Sequence, residues 1–271
     1  MRSDIVEIRT RYRDDGAVLV RNALDAAALA DALHAYEWSL ANPGPGASRF
    51  AQTTDATFYQ DLWNPRCIPS YRDMLLASPL PQLVSEIWGT PDVWFMYEQV
   101  FLKEGGESRR TPWHQDASYL AVAGPDLAVA WITFDALEKN DSLEFVRGSH
   151  KGPLYNGSRF ELGDDTAPLH QNAPLPRLPD IEAARERYEI LSWPISPGDV
   201  VLFHPATLHG GAPTHAGQQR RTLTLRFFGR DAYYDKRPGP AGPRIEGFHE
   251  RMAQGDRFSD PSFLKLLPKR A

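Results

Sequence analysis

Apolar positions change period along this chain, and the changes outline its elements. Over 26–40, Leu29, Leu33, Tyr36 and Leu40 recur at spacings of four, three and four, the stripe of an amphipathic helix, and Asp25 is placed to cap it. Just before, 16–22 (Gly-Ala-Val-Leu-Val-Arg-Asn) bunches its apolar residues as a half-buried strand does. A second helical stretch over 69–88 carries Tyr71, Met74, Leu75, Leu80, Leu83, Val84 and Ile87, with Pro79 and Pro81 set to break it in the middle. From Val93 the period shortens. A long strand is expected over 93–103, a turn over 104–107, and further strands over 111–120, 127–135, 143–146, 200–205 and 221–228. Between them, 155–190 is polar, proline-spotted and too long for a hairpin turn, so it reads as a lid or an exposed insertion.

The pattern predicts a mainly β chain with flanking helices, an α+β arrangement in one domain over 1–271. Residues 1–92 serve as helical support, 93–230 as the β core with an excursion at 152–190, and 231–271 as a wrapping tail with little motif content. Twenty glycines and 23 prolines agree with many turns between short strands. A net charge of −5 and the absence of a block of basic residues argue against a nucleic-acid partner. No apolar run approaches twenty residues and no charged-then-apolar leader opens the chain, so a soluble cytoplasmic protein without a membrane partner is expected. The single cysteine, Cys67, cannot form an internal disulfide and lacks the cluster a zinc site needs.

Candidate chemistry begins at 111–120, Thr-Pro-Trp-His-Gln-Asp-Ala-Ser-Tyr-Leu. Read as a strand, this stretch projects His114 and Asp116 from one face, toward one point in space. Such a pair supplies two of the three ligands of a two-histidine, one-carboxylate iron site, and equally occurs on the surface of an edge strand. Of the eight histidines, His34, His150, His170 and His249 lie in a helix, a turn, the excursion and the tail. His204 and His209 follow an apolar strand, and His209, in Leu-His-Gly-Gly where glycines permit close backbone approach, is the best third ligand. Eleven residues on, Arg220, Thr222, Thr224 and Arg226 share one strand face. An arginine fork beside a hydroxyl suits a carboxylate, while Arg221 points the other way as a solvated charge.

With these pieces in place, the chain resembles the phytanoyl-CoA dioxygenase family of iron(II)- and 2-oxoglutarate-dependent oxygenases. The matching segments are 12–21 (Tyr-Arg-Asp-Asp-Gly-Ala-Val-Leu-Val-Arg), 111–116, the 143–151 signature Leu-Glu-Phe-Val-Arg-Gly-Ser-His-Lys, 197–199 (Pro-Gly-Asp), and His209 through Arg220, in the expected order. The resemblance implies a double-stranded β-helix core, the jelly-roll or cupin-like fold. It implies that His114, Asp116 and His209 bind Fe(II), that Arg220 with Thr222 holds the distal carboxylate of 2-oxoglutarate, and that Trp131 and Gln99 lie near that cosubstrate. Two departures stand out. Lys139-Asn-Asp-Ser142 replaces a Glu-Asn-Gly turn of relatives, and Gly211 stands where relatives often place a serine, which shifts more of the cosubstrate contact to Thr222 or another group.

The implied reaction consumes O2 and 2-oxoglutarate, releases succinate and CO2, and oxidises an unactivated C–H, most simply by hydroxylation. With Asp116 intact, chloride has no vacant carboxylate position to fill. Tyr119, Trp113, Arg226 and Phe228 are candidate walls of the substrate pocket, and Arg226, in phase with Arg220, hints at an anionic group on a small-molecule metabolite. A non-catalytic jelly-roll binder and a cupin-type metal isomerase share this scaffold, and fold alone does not separate them. The sequence does not speak to oligomeric state.

Overall fold

The computed structural model describes residues 2–49, 56–105, 109–161 and 163–268. Its strands, in chain order, are β1 (Ala17–Val20), β2 (Ser48–Arg49), β3 (Ala56–Leu62), β4 (Val93–Gly105), β5 (Thr111–His114), β6 (Val122–Ala123) and β7 (Leu127–Thr133). They continue with β8 (Leu143–Val146), β9 (Ile190–Leu191), β10 (Val200–Phe203), β11 (His209–Gly211), β12 (Arg220–Phe228), β13 (Tyr233–Tyr234) and β14 (Leu264–Leu267). The helices are α1 (Arg2–Asp15), α2 (Ala26–Ala41), α3 (Cys67–Ala77), α4 (Leu80–Trp88) and the single turn α5 (Phe248–Arg251).

The large sheet runs β1-β10-β7-β12-β4-β3-β2, with β14 paired to β4, and the small one runs β5-β11-β8-β9. All pairs within them are antiparallel. This is the jelly-roll core with flanking helices that the sequence implied. The β12 strand shows why it closes. Leu223, Leu225 and Phe227 face outward and join Val100, Ala130, Ile132 and Leu202 beneath the helices. Arg220, Thr222, Thr224 and Arg226 face the interior between the sheets, and all four are buried. The alternation of strand side chains thus gives a polar inner wall and an apolar outer one.

The helices follow the expected stripes. In α2, Asp25 accepts the Ala28 amide as N-cap at 2.8 Å, and Tyr36 is fully buried. The 69–88 stretch is split into α3 and α4 at Ser78-Pro79, where proline cannot continue the ladder. The helix α1 was not anticipated: most of its residues are polar, and its apolar stripe is the narrow one of Ile5, Ile8 and Tyr12. It is held by tertiary contacts: Tyr12 is buried and donates to the Leu127 carbonyl. Part of the 104–107 turn lies outside the described residues. Among those described, no helix is long and apolar enough to cross a membrane.

The last forty residues contribute to the core. Phe248, Phe258 and Phe263 pack with Met96, Tyr97 and Phe228 in a second buried cluster, and β14 lengthens the large sheet.

Candidate metal and cosubstrate site

Strand pairing builds the site. His209 on β11 is the direct partner of His114 on β5, and their rings lie 4.2 Å apart between centroids. The close approach of these strands depends on Gly210, where a Cβ would come within 3.0 Å of the Thr111 carbonyl oxygen. Each imidazole is oriented from behind. The Nδ1 of His114 is 2.8 Å from the Pro112 carbonyl and that of His209 is 2.9 Å from the Thr207 carbonyl. A carbonyl only accepts, so each Nδ1 carries the proton and each Nε2 presents a lone pair.

Both lone pairs face Asp116, whose Oδ1 is 3.4 Å from His114 Nε2 and 3.8 Å from His209 Nε2. The expected geometry needs one correction. The strand ends at His114, and Asp116 opens a 3-10 turn over Asp116–Tyr119 rather than continuing the alternation. The turn is fixed by Gln115, fully buried, which donates to the Ala206 and Pro153 carbonyls and accepts the Tyr155 amide. The Ala117 amide adds a bond to the Pro205 carbonyl. Convergence therefore comes from a tethered turn.

Arg226 completes this end. Its Nη2 and Nε donate to Asp116 Oδ2 at 2.7 and 3.2 Å, and Nη2 also donates to Gln99 Oε1 at 2.8 Å. Its guanidinium lies 4.5 Å from the Tyr97 ring centroid. Burial by itself raises the Asp116 carboxyl, but Arg226 and the histidines outweigh it and hold the group below the ordinary carboxylate range. Burial, with His114 alongside, pushes His209 down to about 3. The two imidazoles and the carboxylate bring all three ligand atoms within 4.8 Å of one another. That donor set fits iron(II) with adjacent open positions.

The inner wall beyond the triad fits a 2-oxo acid. Thr224 Oγ1 and Arg226 Nη1 are buried without a hydrogen-bond partner. Arg220 is buried, donates to the Asp141 and Ala212 carbonyls at 2.6 and 2.7 Å, and is pushed down to about 10 by burial. Thr222 shares its face. Trp131, cross-strand from Thr224, joins Phe203 and Phe145, whose rings flank His209 at 4.6 and 5.9 Å.

The expected pocket walls divide. Tyr119 stands beside the triad, 6.2 Å from the His114 ring, with its hydroxyl donating to the Ser158 carbonyl of the excursion. Trp113 points away from His114 to the other face of β5, where it packs with Leu178, Ile181 and Leu208 and donates to Glu182. Adjacent strand residues face opposite ways, so His114 and Trp113 cannot share a pocket. Phe228 lies at the far end of β12, stacked on Trp94 and packed against Phe258 and Phe263. Arg226 spends its Nε and Nη2 on Asp116 and Gln99 and leaves Nη1 unpartnered on the inner wall. Arg221 is tied to Asp135 instead of being solvated.

Three residues were missed. Gln115 and Lys103 had no sequence signal beyond polarity within apolar strands. Phe160, in the polar excursion, is 40% exposed, lies edge-on to His114 at 5.4 Å and stacks on Tyr119. An aromatic among the polar residues of that segment was the one available cue.

Comparison with known proteins identifies a family and a shared fold. The family model described as phytanoyl-CoA dioxygenase matches residues 12–222. A probable alpha-ketoglutarate-dependent hypophosphite dioxygenase of Stutzerimonas stutzeri is 31% identical over 122 residues, covering 45% of this chain and 40% of that protein. The human peroxisomal phytanoyl-CoA dioxygenase is 26% identical over 184 residues, 65% of this chain and 52% of that one. The chain thus spans about half the length of these relatives, or less. Among solved structures, the epimerase SnoN in complex with Fe3+, alpha ketoglutarate and nogalamycin RO superposes with a TM-score of 0.70 at 19% identity, covering 98% of this chain and 100% of that one. The carbocyclase SnoK gives 0.69 at 18% identity, covering 96% and 95%. At these identities the likeness is one of fold.

Proposed function

The chain belongs to the phytanoyl-CoA dioxygenase family, and from that premise we propose that it is an iron(II)- and 2-oxoglutarate-dependent dioxygenase acting on a C–H bond of a small-molecule metabolite, most simply by hydroxylation. The observation that carries this reading is the meeting of His114, Asp116 and His209 at one end of a polar inner wall that has Arg220 at its other end. A non-catalytic binder on the same scaffold would have no need of both features.

Iron bound at the triad supplies the activation of O2, driven by oxidative decarboxylation of the 2-oxo acid. The chain's own residues do the rest. The Pro112 and Thr207 carbonyls fix the imidazole tautomers, and Arg226 engages Asp116 Oδ2 so that Oδ1 is left facing the two Nε2 atoms. Arg220 offers a fixed charge to the distal carboxylate, and Thr224 Oγ1 is a free hydroxyl along the same wall. Phe145 and Phe203, both buried, pack against His209 and keep water from that side, and Phe160 lies edge-on to His114. Tyr119 and Phe160 give the side next to His114 an aromatic lining, which suits an apolar part of a substrate. The relatives' named substrates differ widely, from hypophosphite to phytanoyl-CoA, so substrate choice is a matter of this lining and the excursion over it.

The test is an oxygen-free titration of the iron(II)-loaded protein with 2-oxoglutarate, reading the weak visible metal-to-ligand charge-transfer band. We expect a band that weakens in Arg220→Ala. No band despite bound iron would overturn the reading. Once a substrate is found, label from 18O2 should enter the product, and an unlabelled oxidised product would exclude hydroxylation.

A further inference from the structure

Lys103 is a feature that the iron and cosubstrate reading leaves unused. It sits on β4 directly opposite Arg220 on β12, so both side chains share the inner face. Lys103 is 3% exposed and Arg220 6%. Among the described residues neither has a carboxylate within ion-pair distance. Arg220 feels the Asp141 charge only at longer range and bonds to backbone carbonyls. Lys103 Nζ has a 3.5 Å contact to the Arg109 carbonyl and lies 4.3 Å from the Phe58 ring centroid.

Two like charges on facing cross-strand positions repel, and each has also lost its water. Burial, with Arg220 opposite, holds Lys103 well below the ordinary lysine range. A methionine at 103 would fill the same space beside Phe58 at no electrostatic cost. The empty cradle gains nothing from the second cation. An arriving carboxylate does, since it satisfies both charges and removes their repulsion.

We propose that Lys103 and Arg220 together seat the distal carboxylate of a dicarboxylic 2-oxo acid, so that Lys103 is a second cosubstrate-selecting residue. The inference rests on the cosubstrate reading above and sharpens it. The terminal carboxylate is read by two cations from adjacent strands, and a 2-oxo acid of equal length without that carboxylate gains from neither.

The experiment is oxygen-free calorimetry on the Mn(II)-loaded protein with 2-oxoglutarate and with 2-oxopentanoate, comparing wild type, Lys103→Met and Lys103→Arg. In Lys103→Met, 2-oxoglutarate should bind roughly tenfold to a hundredfold more weakly, the range for losing a hydrogen bond to a charged group. Binding of 2-oxopentanoate should be unchanged, Lys103→Arg should recover most of the loss, and the ligand-free melting midpoint of Lys103→Met should be no lower than wild type. Wild-type affinity for 2-oxoglutarate in Lys103→Met overturns the proposal and leaves the cosubstrate reading intact. Equal weakening of both acids also overturns it, because it marks a structural role. A wild type that binds no 2-oxoglutarate overturns both.

Discussion

His204 illustrates what a buried titratable residue does to this protein away from the triad. In its neutral form both ring nitrogens are committed: Nε2 is 3.1 Å from the Gly124 carbonyl, and Nδ1 accepts the Ala206 amide at 3.1 Å. Protonation would set a donor against that amide, and burial pushes the group down to about 4. The folded value lies below the unfolded one, so the unfolded chain takes up the proton first as pH falls. The stability contribution is present above about pH 6.5 and is lost progressively toward pH 4, on the order of 3 kcal/mol over that window. Denaturant unfolding of the metal-free protein at pH 7 and pH 5 should show a smaller drop in His204→Gln than in wild type; parallel drops would contradict this. Arg226 makes a different prediction. Its loss leaves Asp116 buried and uncompensated, so Arg226→Met should cost the metal-free protein about 3 kcal/mol. A divalent ion restores the missing positive charge. Mn(II) should therefore raise the melting midpoint of the variant more than that of wild type, and an equal rise in both would count against the role assigned to Arg226.

At the scale of elements, β12 and the excursion divide the work. The phase of β12 was legible in the sequence, since Arg220, Thr222, Thr224 and Arg226 alternate with Leu223, Leu225 and Phe227. Which face turned inward was set by the helices, which cover the apolar side. The excursion is pinned near the triad by a reciprocal pair, with Tyr119 hydroxyl donating to the Ser158 carbonyl and accepting the Ser158 amide at 2.9 Å. On its far side, Glu182 accepts from Trp113 and Arg110. Tyr119→Phe removes the pair, worth about 1–2 kcal/mol of local stability. Amide hydrogen exchange over 156–161 should quicken while α2 and α3 are unaffected, and unchanged exchange there would show that the excursion is held by other contacts. The sequence marked this segment as a lid or insertion from its length and polarity. It could not place Phe160 against His114, because an irregular segment has no period from which to read direction.

For the whole molecule, the C-terminal residues are a structural part of the domain. Phe258 lies 5.0 Å from Phe228 and 5.4 Å from Phe248 between ring centroids, and the same cluster takes in Met96 and Tyr97 of β4. Since Tyr97 stacks on Arg226, this cluster also backs the metal end of the wall. Phe258→Ala should cost about 3–5 kcal/mol and lower a single cooperative transition seen alike by far-ultraviolet circular dichroism and tryptophan fluorescence. Separate transitions by the two probes would mean that the tail folds as an independent unit. The tail reads poorly in sequence because its phenylalanines are isolated among Pro, Gly and charged residues, with neither a helical nor a strand period.

The sequence by itself determined the period of α2, of the α3–α4 stretch and of the core strands β1, β4, β7, β8, β10 and β12, the family likeness, and the identities of His114, Asp116, His209 and Arg220. These are local signals: alternation, caps, breakers and short motifs, each read within a dozen residues. The tertiary structure decided how those pieces meet. The pairing of β5 with β11 set the histidines side by side, and Gln115, reaching 91 residues along the chain to Ala206, turned Asp116 toward them. Sheet register brought Arg226 to Asp116 and set Lys103 against Arg220. Register depends on how every strand closes onto its neighbours, and a one-residue slip exchanges the two faces, so no single segment carries that information.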